Sequence, residues 1–148
     1  MSTSTTAIAL AQALGPVRRA LVKATRAAGD LPDLSEAQIE VLRLLVGHGV
    51  LSSTEIATRL GLARPTVSNL LKSMSGLQLI DRTASEGDLR STLVGASPRA
   101  RVLLARYDRV SADILDEALG RLDPDTRDAL SGCAAALTQL TAALSSVP

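Results

Sequence analysis

Apolar residues recur near the start of the chain as Leu10, Leu14, Val17, Leu21, Ala24 and Ala28, at alternating steps of four and three. That spacing lines one side of a helix. Gly15-Pro16 interrupts the run, and because proline removes a helical hydrogen bond the helix is expected to kink or restart there. The same stepping returns late in the chain, in Leu103, Tyr107, Val110 and Ile114, and again in Leu130, Cys133, Leu137, Leu140 and Leu144. Terminal helices with narrow apolar seams are predicted. Such seams close either on one another within one chain or on those of a second copy. Their separation by a differently patterned middle favours the second copy.

In that middle the elements are shorter. Asp30 to Asp33, with Pro32, reads as a loop; Ser35 begins a helix with Ile39, Leu42, Leu45 and Val46 inward, and Gly47 and Gly49 end it. Val50-Leu51 is expected as a minor strand. Ser52 and Glu55 stand at capping-box spacing and start the next helix. From Ser53 to Lys72 the pattern is a helix with Ile56, Ala57 and Leu60 inward, the turn Gly61-Leu62, and a second helix with Val67, Leu70, Leu71 and Met74 inward. Small Ala57 permits a close crossing, and Gly61 can take the positive φ that ends the first helix. This predicts a helix-turn-helix. Two strands, Leu79 to Ala84 and Ser91 to Ala96, are expected around a turn from Ser85 to Arg90, forming a wing.

The second helix of the pair presents Thr66, Ser68, Asn69, Lys72 and Ser73 opposite its apolar stripe, a face without acids. In a major groove such side chains would meet base edges and phosphates; the plainer alternative is a solvated surface. Arg90 near the wing tip suits the negative potential of a minor groove, with Asp88 holding its guanidinium, and Arg82 adds a phosphate contact. An ordinary surface ion pair between Asp88 and Arg90 is the competing reading.

Composition sharpens this picture. At 148 residues, 46% hydrophobic and 21% charged, the chain has the size and balance of one folded domain. It lacks Trp and Phe, has Tyr107 alone as an aromatic, and draws a third of its residues from alanine and leucine, so the core is aliphatic and helix dominates. The net charge of +1 conceals polarisation: residues 59 to 109 carry nine basic and four acidic side chains, and residues 110 to 148 carry two and six. A basic centre of this kind points to a polyanion such as double-stranded DNA. The polar start argues against a signal peptide, and hydroxyl and amide residues interrupt the uncharged stretch from Ala129 to Pro148, so a soluble cytoplasmic chain without membrane contact is expected. Single Cys133 fits a reducing compartment. Lying on an apolar seam, it is expected as a buried small hydrophobe rather than a redox sensor. Neither it nor the lone His48 has a ligand-spaced companion, so no metal, cofactor or catalytic residue is expected, and the chain reads as a non-enzyme.

Leu62-Ala63-Arg64-Pro65-Thr66-Val67-Ser68, Gly76-Leu77-Gln78-Leu79-Ile80-Asp81-Arg82, Asp88-Leu89-Arg90-Ser91, Leu93-Val94 and Ser97-Pro98-Arg99-Ala100 together resemble the MarR family of bacterial transcription regulators, over nearly the whole chain. The resemblance implies a mainly α fold with a small β-wing. It also implies a homodimer formed by the terminal helices, a pseudo-palindromic DNA site and, often, a small-molecule effector bound between lobe and dimer region. Carried onto this chain, the wing arginine is Arg90 and its acidic partner Asp88. Expected DNA-binding residues are Arg64, Pro65, Thr66, Ser68, Asn69, Lys72, Arg82, Asp88 and Arg90. The expected division is 1–34 for N-terminal dimerisation, 35–97 for the winged helix-turn-helix and 98–148 for C-terminal dimerisation. Ala63 departs from the family where a serine commonly caps the second helix, Leu89 replaces a frequent basic residue at the wing tip, and Ala100 replaces a frequent glycine. With a single ring, Tyr107, a pocket that stacks on phenolic ligands is not expected.

Two functions follow: a dimeric, sequence-specific DNA-binding regulator, read as a repressor, or a winged-helix adaptor whose same face binds protein without DNA. The basic middle favours the first.

Overall fold

Serine capping boxes set two of the helix starts. In a computed structural model, which describes residues 2–28, 30–84, 87 and 92–146, Ser35 caps α2 (Glu36–His48) and Ser52 caps α3 (Ser53–Leu60), each hydroxyl accepting the backbone N–H three residues on. The remaining elements are α1 (Thr3–Ala27), β1 (Leu51–Ser52), α4 (Arg64–Gly76), β2 (Ile80–Ala84), β3 (Thr92–Ala96), α5 (Pro98–Gly120), α6 (Pro124–Ser131) and α7 (Cys133–Ser145). The architecture is mainly helical with one small antiparallel sheet, in the order β1-β3-β2. Its register pairs Leu51 with Val94 and runs from Ile80↔Ala96 to Ala84↔Thr92.

The chain forms two compact units, Val22–Val110 and Met1–Leu21 with Ser111–Pro148. The first contains the aliphatic core: Val41, Leu42 and Leu45 of α2, Ile56 and Ala57 of α3, Val67, Leu71 and Met74 of α4, Val94 of β3, and Leu103, Leu104 and Tyr107 of α5. Leu103 and Tyr107, which share a helical seam with Val110 and Ile114, are thus core residues of this unit. The Tyr107 hydroxyl donates to the Pro32 carbonyl. In the second unit no described residue is buried, and Ile8, Leu10, Leu14, Val17, Leu115, Leu122, Leu130, Leu137 and Leu144 are exposed.

Several local expectations are corrected. Pro16 lies inside one continuous α1, which does not restart there; the alanine- and leucine-rich flanks are strong enough helix formers to carry it. Gly47 is a helical residue of α2, and the helix ends at Gly49, whose φ of 83° suits glycine. The seam from Leu130 to Leu144 is divided between α6 and α7 at Gly132. Cys133 is half-buried, and its Sγ donates to the Ala129 carbonyl at 3.5 Å. Among the described residues no helix is long and apolar enough to cross a membrane, and no group of three or more His, Cys, Asp or Glu could hold a metal ion.

Candidate nucleic-acid interface

The geometry begins at the turn between α3 and α4. Gly61 adopts the left-handed conformation (φ 63°, ψ 31°), and the Leu62 N–H donates to the Ala57 carbonyl at 3.0 Å, which reverses the chain within three residues. α4 then begins after Ala63, whose backbone is extended but whose methyl caps nothing, with Pro65 in the first turn and no acid there. Val67, Leu71 and Met74 anchor one side of α4 in the core, while Leu70 is half-buried against it. Arg64, Pro65, Thr66, Ser68, Asn69, Lys72 and Ser73 are exposed. Six of the expected DNA-binding residues therefore share one acid-free helix face.

The end of α4 fixes where the sheet starts. Gln78 takes a positive φ of 57°, and the Leu79 N–H donates to the Met74 carbonyl at 2.9 Å, folding β2 back from the helix. Ser97, buried, bridges this corner to α5: its hydroxyl donates to the Gln78 carbonyl at 2.8 Å and accepts the Ala100 N–H at 3.1 Å. Arg82, on β2 and exposed, donates from Nε to Ser75 Oγ at 3.4 Å, which ties it to the last turn of α4. Asp88 and Arg90 lie outside the described residues.

Elsewhere in this unit arginines pair with acids. Arg43 bonds Asp108, and Arg106 contacts Asp30 through both the backbone carbonyl (3.2 Å) and the carboxylate (3.4 Å). The Glu55 carboxyl is held below its ordinary range because it accepts the Ser52 backbone N–H and bonds the Ser52 side chain, with Arg59 adding a smaller attraction.

Sequence reasoning missed Gln38. Its side chain is buried, with Oε1 accepting the Ser35 N–H at 2.8 Å and Nε2 donating to Ser73 Oγ of α4 at 3.1 Å. Beside it lies an open groove of about 380 Å³ lined by Ser35, Gln38, Thr66, Asn69, Leu70 and Ser73. The serine-to-glutamine spacing of a capping box was the only signal in the sequence; nothing there indicated the bond to α4.

Residues 34–92, which hold α2 to α4, β2 and the start of β3, match the model of the MarR family. Over these residues the chain is similar to the MarR family. MarR proteins are transcription regulators, and the expectation that this chain is not an enzyme rests on that similarity. An uncharacterized HTH-type transcriptional regulator of Bacillus subtilis (strain 168), YfiV, is 29% identical over 98 residues, covering 66% of this chain. The match covers 61% of that relative's own length. The likeness of fold extends through the whole chain: RV1404 from Mycobacterium tuberculosis superposes with a TM-score of 0.79 at 20% identity, covering 100% of this chain and 97% of that one. A MepR mutant of S. aureus bound to an oligodeoxyribonucleotide superposes with a TM-score of 0.65 at 20% identity, covering 97% and 99%.

Proposed function

We propose that this chain is a MarR-type, homodimeric, sequence-specific DNA-binding transcription regulator working in the cytoplasm, a repressor that a small ligand relieves. The observation that carries DNA binding is the exposed face of α4, where Arg64, Thr66, Ser68, Asn69 and Lys72 stand together without an acid. A face of hydroxyls, one amide and two cations can hydrogen-bond base edges and neutralise phosphates. The similar fold of a MepR mutant bound to an oligodeoxyribonucleotide supports DNA binding by this chain. Dimerisation is supported by the exposed leucines of the second unit, which helices with apolar seams bury against other helices. The division of labour proposed is that 35–97 reads DNA while helices from 1–34 and 98–148 mate, chiefly through residues of the second unit. Arg82, Asp88 and Arg90 complete the proposed contacts, the last two from the wing. Repression and its relief follow the family resemblance.

The test is a fluorescence-anisotropy titration against DNA upstream of the protein's own gene at several salt concentrations. Affinity is expected to fall steeply as salt rises, because cations displace counterions from phosphates. Asn69→Ala is expected to change which duplex is preferred, and Arg90→Ala to weaken binding to all of them, with half-sites about 34–36 Å apart. Absent or salt-independent binding would leave the protein-binding adaptor instead.

A further inference from the structure

We propose that Ser73 donates its hydroxyl proton to a phosphate oxygen of bound DNA, and that buried Gln38 is the positioning residue that aims it. The inference rests on the DNA-binding reading above and adds to it Gln38 and a specific role for Ser73.

The argument turns on hydrogen-bond polarity. A backbone N–H can only donate, so the atom of Gln38 that faces the Ser35 N–H at 2.8 Å must be the amide oxygen. The capping box therefore settles the amide's orientation. The other end is then an NH₂ group, and across 3.1 Å it must donate to Ser73 Oγ. Ser73 accepts inward, so its own proton is left to donate elsewhere. Thr58, Thr138, Thr141 and Ser145, also helical, donate to the carbonyl four residues back. Ser73 makes no such bond among the described residues.

Position selects the acceptor. Ser73 is exposed, and it shares the row Thr66-Leu70-Ser73 that borders the groove. Leu70 on that row is half-buried, and the face opposite Val67, Leu71 and Met74 is centred near Asn69, so Ser73 lies to one side of that centre, toward the Leu70 row. When a helix lies in a major groove its centre faces base edges and its flanks face the phosphate walls. Phosphate oxygens accept and never donate, which matches a hydroxyl whose accepting side is occupied. A glutamate at the third helical position would close the capping box equally well. It would also present an acceptor to Ser73 and turn the hydroxyl proton inward, so the choice of glutamine has a consequence on the DNA side.

The experiment uses the full-length protein and measures binding to an operator, to variants of it and to unrelated duplex, together with thermal unfolding. Ser73→Ala is expected to weaken binding roughly tenfold on every duplex without changing their order, and Ser73→Thr to restore it. Gln38→Glu is expected to keep or raise the unfolding temperature while weakening DNA binding. Its added charge acts alone in a Ser73→Ala background, so the loss there must be smaller than in the wild type. Equal losses in both backgrounds, unchanged affinity of Ser73→Ala, or an altered order of duplexes would overturn the assignment while DNA binding stands. A wild-type protein that binds no duplex would sink both.

Discussion

Glu55 illustrates how much one residue fixes. It accepts the Ser52 backbone N–H at 2.8 Å, and Ser52 Oγ accepts the Glu55 N–H at 3.2 Å, so the carboxylate form belongs to the folded α3 start. A folded-state pKa held below the ordinary value means that its contribution is fully present above the ordinary carboxylate range and is lost as pH falls through the lowered one. Asp123 follows the same rule, accepting the Thr126 backbone N–H at 3.0 Å and its hydroxyl at 2.7 Å. Thermal unfolding followed by circular dichroism should therefore show a falling midpoint on acidification into and below the carboxylate range, and Glu55→Gln should flatten that slope. An unaltered slope in the variant would remove Glu55 from this account. Both caps are written in the sequence as a polar residue three positions before its partner.

Helices differ in how well their ends are satisfied. α4 carries the proposed contacts, yet Ala63 provides no capping oxygen although its φ of −66° and ψ of 142° suit a capping serine. Ala63→Ser is expected to raise stability by about 0.5–2 kcal/mol in urea unfolding. No gain would mean that the first-turn amides are already satisfied. At the other extreme, the end of α5 is closed by Arg127, which donates from Nε to the Leu119 carbonyl at 3.1 Å and from Nη2 to those of Gly120 at 3.3 Å and Leu122 at 2.9 Å. Only a planar guanidinium reaches all three, so Arg127→Lys should lower stability by about 1 kcal/mol. Equal midpoints for Lys and Arg in urea would show that a single charge suffices. Neither the triple bond nor the break at Gly132 was legible beforehand, because a helical stripe continues in register across a one-residue interruption.

For the whole molecule, the asymmetry between the two units underlies the proposed dimer. The winged unit encloses its aliphatic core, whereas the unit built from both termini buries none of its described residues and exposes leucines along its helices. A pair of chains would cover them. Sedimentation is expected to give twice 15.4 kDa, with an unfolding temperature that rises with concentration. Leu137→Lys, on the exposed seam of α7, should shift the protein to monomer and lower that temperature. A wild-type monomer at micromolar concentration would remove the basis for dimeric half-sites.

The sequence alone determined the helix faces, the capping box at Ser52, the turn at Gly61 and the grouping of Thr66, Ser68, Asn69, Lys72 and Ser73, since each depends on neighbours at fixed short offsets. Tertiary structure decided the rest: that Gln38 grips Ser73 across 35 positions, that Tyr107 is engaged by Pro32 across 75, and that β1 pairs with β3. Contacts between distant segments follow from how whole helices pack, and no fixed interval along the chain encodes them.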